Sequence, residues 1–167
     1  MKQVGFTLFE LMVVIAIMAI LTVLAYPSVV NYLHGSESRQ VRSILSAANH
    51  QARLESYVNK QNVILCLATI DDVCHKTAHD KVLVFYDRDN NQQLDHGELI
   101  SSHILNLKYG TVEMRVSAAR HYMKYFGGTG TPKGHFGHIK YCSTSAQKWG
   151  HRTVVTLQGG ISVREGC

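Results

Sequence analysis

Residues 5–21 read GFTLFELMVVIAIMAIL, and this stretch decides the fold of the chain. It is apolar almost without interruption, yet it carries one carboxylate, Glu10, near its start. An unpaired acid inside an apolar segment of membrane length costs several kcal/mol, so such a residue usually has a functional partner. We therefore expect Glu10 to have a role of its own.

Two ordinary kinds of segment share this hydropathy. A secretory signal peptide has a basic start, here only Lys2, and an apolar core, but such a core seldom contains Glu. A plain membrane anchor is also consistent with the pattern, because residues 11–30 are close to spanning length. Hydropathy alone does not separate these two from a third interpretation, a processed helix that stays on the mature protein.

The residues Gly5-Phe6-Thr7-Leu8, followed by Glu10, resemble the class III signal of type IV pilins and type II secretion pseudopilins. The resemblance implies that a prepilin peptidase cuts between Gly5 and Phe6 and that the new amine of Phe6 is methylated. It also implies that Glu10 acts in filament assembly by pairing with a methylated Phe6 amine.

The apolar stretch opens one long helix, predicted over residues 6–57. Its first half is apolar on every face, whereas beyond Gly35 apolar residues recur on one side only, at Val41, Ile44, Leu45, Ala48 and Ala52. A helix of that length reaches roughly 75–80 Å, more than one small domain needs. We predict a cleaved leader at residues 1–5, a membrane or filament stalk at 6–57 and a β-rich globular domain at 58–167.

The sequence of the globular domain predicts an antiparallel sheet. Residues 59–80 are polar and contain cysteine, and they are predicted to form a connecting loop. Runs of β-branched and aromatic residues predict strands at 81–86, 99–107, 111–117, 137–142, 153–157 and 161–164. The predicted class is α+β, with the long helix packed on the sheet.

Four cysteines on a translocated chain point to an oxidising compartment. Three pairings are open. We expect the local one, in which Cys66–Cys74 closes a short loop and Cys142–Cys167 ties the C-terminus to the domain, because the region between the two pairs reads as self-contained.

The net charge of +5 is unevenly spread, because residues 108–167 hold nine basic and two acidic residues. A concentrated positive region on an exported protein favours an anionic partner such as DNA or lipid headgroups, although a solvated basic surface is an equally ordinary explanation. Cations interleaved with Tyr141 and Trp149 suit sequence-independent nucleic-acid binding. The candidate DNA-binding residues are Lys133, Lys140, Lys148, Arg152 and Arg164.

An acidic loop at residues 87–98 has the ligand spacing of an EF-hand calcium loop. The candidate calcium ligands are Asp87, Asp89, Asn91, Asp95 and Glu98. Against calcium, Gln92 occupies the position where the sharp turn requires Gly, and the flanking segments predict strands instead of helices. We favour the alternative, an Asp/Asn-rich hairpin loop without metal.

No catalytic motif stands out, neither a nucleophile elbow, nor a phosphate-binding Gly loop, nor paired carboxylates. His135, His138 and Cys142 have a spacing that could hold zinc, but Cys142 is better used in a disulfide. We therefore expect no enzyme activity and no cofactor.

Beyond its N-terminus the chain resembles the FimT/GspH group of minor pilins and pseudopilins, in the acidic loop, in the strand at residues 137–142 and in the closing hairpin at 153–164. The resemblance implies a type IV pilin-like fold and a minor pilin in or at the tip of a type IV pilus, supporting pilus assembly, twitching motility and DNA uptake in natural transformation. The alternative is a minor pseudopilin of the type II secretion system.

The same resemblance implies where the chain works and with what. The implied location is the inner membrane, crossed once, with the C-terminal domain in the periplasm, and then the extracellular pilus or periplasmic pseudopilus. The implied partners are other major and minor pilins, the prepilin peptidase/methyltransferase, the inner membrane before assembly and double-stranded DNA.

Overall fold

The computed structural model describes residues 7–144 and 149–167. Its first element, α1 (Leu8–Asn59), is a helix of 52 residues. The Thr7 hydroxyl caps the start by accepting a hydrogen bond from the backbone amide of Glu10, and Lys60 ends the helix in the left-handed conformation, with φ of 55°. Pro27 lies inside the helix, which ends at Asn59 instead of the predicted residue 57.

The two halves of α1 have different surroundings. No side chain in residues 8–33 is buried, and Leu8 and Phe9 are 77% and 75% exposed. This half is long and apolar enough to cross a membrane. The second half buries one stripe, formed by Val41, Leu45, Ala48 and Ala52. The apolar pattern of the sequence predicts this division.

Within the described residues, α1 is followed by eight strands and a short 3-10 helix, Ser117–Ala119. The strands are β1 (Val63–Ala68), β2 (Lys81–Tyr86), β3 (Leu99–Ile104), β4 (Gly110–Val116), β5 (Tyr122–Tyr125), β6 (Gly137–Ser143), β7 (His151–Val155) and β8 (Ile161–Glu165). They form two antiparallel sheets, the first sheet in the order β3-β2-β1-β5 and the second sheet in the order β4-β6-β7-β8. The predicted α+β class, a long helix with antiparallel sheets, is confirmed.

Two strands lie where the sequence predicted none. The prediction of a loop over residues 59–80 is wrong, because β1 occupies its first part and is buried along its whole length. β1 lies inside the first sheet, between β2 and β5. A strand covered on both faces shows no polar alternation, and periodicity alone does not separate a short apolar run of this kind from a buried helical segment. β5 was missed because its buried Lys124 reads as a surface residue.

The main core lies between α1 and both sheets. The buried stripe of the helix packs with inward side chains of the first sheet, such as Leu65 and Val84, and of the second sheet, such as Met114 and Ile139. A smaller cluster lies on the far face of the first sheet, around Phe85. Leu94 of the acidic loop packs against it, so this loop folds over the sheet.

Polar contacts fix α1 to the second sheet. Ser38 donates its hydroxyl to the Trp149 carbonyl at 2.7 Å, and its oxygen lies 3.1 Å from Nδ1 of His151. Gly35 packs against the Trp149 ring, where an added Cβ would come within 3.1 Å of ring atoms. The absence of a side chain at Gly35 therefore allows the close contact with Trp149.

The structure pairs the cysteines locally. Cys66 in β1 is bonded to Cys74, with their Cα atoms 5.7 Å apart, and Cys142 in β6 is bonded to Cys167, with a Cα separation of 5.5 Å. The second bond holds the C-terminal end of β8 to the second sheet.

Candidate functional site

The N-terminal site begins just ahead of α1. Thr7 and Glu10 have the spacing of a capping box, in which the hydroxyl satisfies a free helical amide. Gly5 and Phe6, the predicted cleavage and methylation residues, lie outside the described residues. The Glu10 side chain stands on the exposed part of the helix, where a second subunit or a lipid can reach it.

A second candidate site is a row of cations on the second sheet. Lys140 of β6 lies directly opposite Arg152 of β7, and Arg152 lies opposite Arg164 of β8. Their neighbours Ile139, Tyr141 and Thr153 are buried toward α1, so the cations face outward. We call Lys140, Arg152 and Arg164 the basic row.

The basic row is electrostatically costly by itself. Residues directly opposite in an antiparallel pair have Cβ atoms about 4.5–5.5 Å apart, and like charges there destabilise the sheet. Lys140 is relieved at one end, because its Nζ lies 3.0 Å from Glu113 on β4. Among the described residues, Arg152 and Arg164 have no carboxylate partner within ion-pair distance. An anion bound across the row would relieve this repulsion.

The residues around Glu113 were missed at the sequence level. Hydrogen bonds from Arg115 and Lys140 lower the pKa of the Glu113 carboxyl to about 2, so it stays ionised and compensates part of the charge. Burial, then the charges of Arg152 and Arg115, lower the pKa of His138, so it adds no charge at neutral pH. The alternation of residues 111–116 is the signal that places Glu113 and Arg115 on the outer face.

The other two predicted DNA-binding residues are not part of the row. Lys133 lies in the loop before β6, with its Nζ 5.7 Å from the centre of the Phe126 ring. Lys148 lies outside the described residues. Tyr141 is fully buried and donates its hydroxyl to Glu37, so the predicted stacking of bases on Tyr141 is wrong. The row suits phosphates, and Tyr141 adds no aromatic platform to it.

In the acidic loop, the ammonium group of a lysine takes the place that a calcium ion would have beside the predicted ligands. Lys124 Nζ lies 2.5 Å from Asp87 Oδ2 and also contacts the side-chain oxygen of Asn90. Both members of the ion pair are almost fully buried, with side chains 4% and 0% exposed. The ammonium group therefore satisfies the first carboxylate of the predicted calcium set.

The other predicted calcium ligands bond within the loop or to its backbone. Asn91 bridges Asp89 and Asp95 with distances of 2.8 and 2.7 Å, and Glu98 accepts a hydrogen bond from the backbone of Arg88. Across residues 7–144 and 149–167, no group of three or more His, Cys, Asp or Glu side chains is placed to hold a metal ion. These bonds are those of an Asp/Asn-rich hairpin loop, and calcium binding stays an untested alternative.

Comparisons with known proteins agree with this architecture. Residues 1–26 match the family model described as the prokaryotic N-terminal methylation motif. No curated protein matches the sequence significantly. A crystal structure of the type IV minor pilin FimU from Pseudomonas aeruginosa matches with 13% identity and a TM-score of 0.50, over 77% of this chain and 90% of that one. FimU in a second crystal form matches with 13% identity and a TM-score of 0.49, over 75% and 90%.

The methylation motif and the fold together define a class. A long N-terminal helix, apolar and bare in its first half, followed by antiparallel sheets packed on its second half, is the type IV pilin fold. The chain is a type IV pilin-like protein, in its N-terminal motif and in its fold.

Proposed function

We propose that this chain is a minor type IV pilin, incorporated in or at the tip of a pilus. The observation that carries the proposal is the exposed apolar half of α1, since no residue in 8–33 is buried within the chain. An apolar surface of that extent needs cover, which a membrane supplies before assembly and neighbouring pilin helices supply afterwards. The methylation motif and the fold shared with the minor pilin FimU support this role.

In this proposal the chain is processed before it assembles. A prepilin peptidase removes residues 1–5 and Phe6 becomes the methylated first residue, while the C-terminal domain stands in the periplasm. In the filament, Glu10 pairs with a methylated Phe6 amine, its own or a neighbour's, and the pairing offsets the desolvation of both charges.

Genetics separates the pilus from the secretion alternative. Deletion of the gene should reduce surface piliation, twitching and transformation while type II secretion continues. Normal piliation with lost secretion would instead identify a minor pseudopilin and end the proposal.

We further propose that the basic row binds the phosphate backbone of duplex DNA during uptake. The observation that supports it is the alignment of three cations across adjacent strands, with Arg152 and Arg164 lacking a carboxylate partner among the described residues. Each phosphate contact contributes about 0.9 to the slope of log affinity against log salt. Affinity should therefore fall steeply with added salt.

The test uses the full-length chain in a non-ionic detergent and a fluorescent duplex of arbitrary sequence. Removing two row charges with Arg152→Gln and Arg164→Gln should lower the salt slope by about 2. Lys76→Gln with Lys108→Gln removes the same charge away from the row and is the matched control. Absence of binding by the wild-type chain at low salt, or equal slopes for the two variants, would reject the DNA proposal.

A further inference from the structure

The open edge of the second sheet is formed by β8. Hydrogen bonds from Thr156 to Gly160 and from Gly166 to Gly150 set its pairing with β7. Because bonded and non-bonded pairs alternate in an antiparallel ladder, the backbone amides of Ile161 and Val163 point away from β7. Among residues 7–144 and 149–167, no acceptor is placed against these two amides, so they are available donors along the edge of the sheet.

A groove of about 700 Å³ separates this edge from α1. Arg53 donates a hydrogen bond to the Gly159 carbonyl at 3.4 Å, which holds the β7–β8 turn beside the helix. β8 therefore runs along the helix surface. The residues that line the groove are Arg39, Arg42, Ser43, Ser46, Ala47 and His50 on the helix and Ile161 and Val163 on the strand.

The groove is positively charged and has no carboxylate in its lining. Arg39 and Arg42 are exposed, and among the described residues neither has an ion-pair partner. Glu165, at the end of β8, is the acid nearest in sequence to Arg164. This one carboxylate does not balance the several cations around the edge. Unpaired arginines thus stand on both sides of one strand, with Arg164 outside and Arg42 toward the helix.

The charges on the two sides of β8 suit a nucleic-acid backbone. A duplex presents the phosphates of its two strands on either side of a groove about 6 or 12 Å wide, so arginines on both sides of one strand can contact both strands. Neither the basic row nor the β8 groove lining contains Phe, Tyr or Trp for stacking of unpaired bases.

Resting on the DNA binding proposed above, we propose that Arg39 and Arg42 of α1 are a second set of phosphate contacts. Duplex DNA then lies along the β8 edge, with Arg164 and Arg152 on one flank and the two helix arginines on the other. The free amides of Ile161 and Val163 add neutral donors to phosphate oxygens between the flanks.

The experiment measures salt slopes of duplex binding by the full-length chain in non-ionic detergent. Arg39→Gln with Arg42→Gln should lower the slope by about 2 and weaken binding more than about tenfold at 0.1 M salt. Arg39→Lys with Arg42→Lys should keep the wild-type slope, because the slope depends on the number of phosphates neutralised and Lys carries the same charge. Both arginines are exposed, so the fold should survive, which the unfolding temperature checks.

The outcomes distinguish failure of the helix contacts from failure of the proposed DNA binding itself. If the wild-type chain does not bind duplex DNA, the proposed DNA function and this inference both fail. If the chain binds and the row variant loses slope, while Arg39→Gln with Arg42→Gln behaves like the Lys76→Gln, Lys108→Gln control, only the helix contacts are wrong. Reduced entry of the same variant into filaments, with unchanged DNA slopes, would assign the groove to a neighbouring subunit and overturn the inference.

Discussion

At the scale of single residues, Glu37 links α1 to the second sheet. The residue is 9% exposed, and its carboxylate accepts hydrogen bonds from the backbone amides of Lys108, at 2.7 Å, and Tyr109, at 3.1 Å. The Tyr141 hydroxyl donates to it at 2.9 Å. Burial first, and then the bond to Glu37, raise the pKa of Tyr141, so the phenol stays protonated.

Glu37→Ala should destabilise the chain by about 2–4 kcal/mol, because it leaves the buried Tyr141 hydroxyl and two partly buried backbone amides without an acceptor. Glu37→Gln keeps one acceptor oxygen and should cost less. Urea unfolding followed by tryptophan fluorescence measures both. If both variants lose no more stability than a substitution at an exposed carboxylate, the anchoring role of Glu37 is wrong. Glu55 does not serve as that control, because its carboxylate accepts a hydrogen bond from Tyr86.

His151 makes the stability depend on pH. It is 5% exposed, and burial, followed by the charge of Arg42, lowers its pKa from 6.5 to about 4. The unfolded chain therefore takes up a proton before the folded chain does, so stability is lost as the pH falls from about 6.5 to 4. A shift of this size is worth about 3 kcal/mol as an upper bound.

His151→Gln should flatten this acid loss of unfolding free energy, because glutamine takes up no proton. The loss should not disappear, since burial also lowers the pKa of His135 to about 4. Unfolding free energies of both proteins at pH 7 and pH 4.5 supply the comparison. An identical loss in wild type and variant would show that His151 does not carry it.

At the scale of elements, the acidic loop is held by the buried pair of Lys124 and Asp87. Lys124→Met should cost about 3–5 kcal/mol, because it leaves a buried carboxylate unpaired. Lys124→Met with Asp87→Leu removes both charges and should recover part of that loss, because the Gln92 amide still loses its acceptor on Asp87. Lys133→Met is the exposed control. A single variant as stable as this control would contradict the role of the pair.

The elements also show what sequence reasoning could reach. The length of α1 and its change of surroundings follow from apolar periodicity, which is local. β1 and β5 were not found in that way: the apolar run of β1 lies within a segment that is otherwise polar, and β5 contains Lys124. Which strand lies beside them depends on pairing between distant segments, which no local pattern shows.

The candidate site, too, could be predicted only in part from local sequence. Composition identified Lys140, Arg152 and Arg164, but only the register of β6, β7 and β8 shows that they stand opposite one another. Arg39 and Arg42 read as the solvent face of an amphipathic helix, and nothing local places β8 beside them. The burial of Tyr141 depends on the same register.

At the scale of the whole molecule, the globular domain and the first half of α1 differ in how they treat apolar side chains. The globular domain buries them between its two sheets and the second half of α1, whereas residues 8–33 leave them exposed. A 52-residue helix spans about 78 Å, so the first half of α1 extends well beyond the globular domain. This exposed apolar surface is the reason for the proposal that a membrane, and then neighbouring subunits, cover it.

We propose that this chain is a processed filament subunit, and the intact mass of the chain purified from sheared surface pili tests the proposal. We expect a chain that starts at Phe6, carries one added methyl group and retains both disulfides. Absence of the chain from sheared pili, or a mass that still includes residues 1–5, would rule it out.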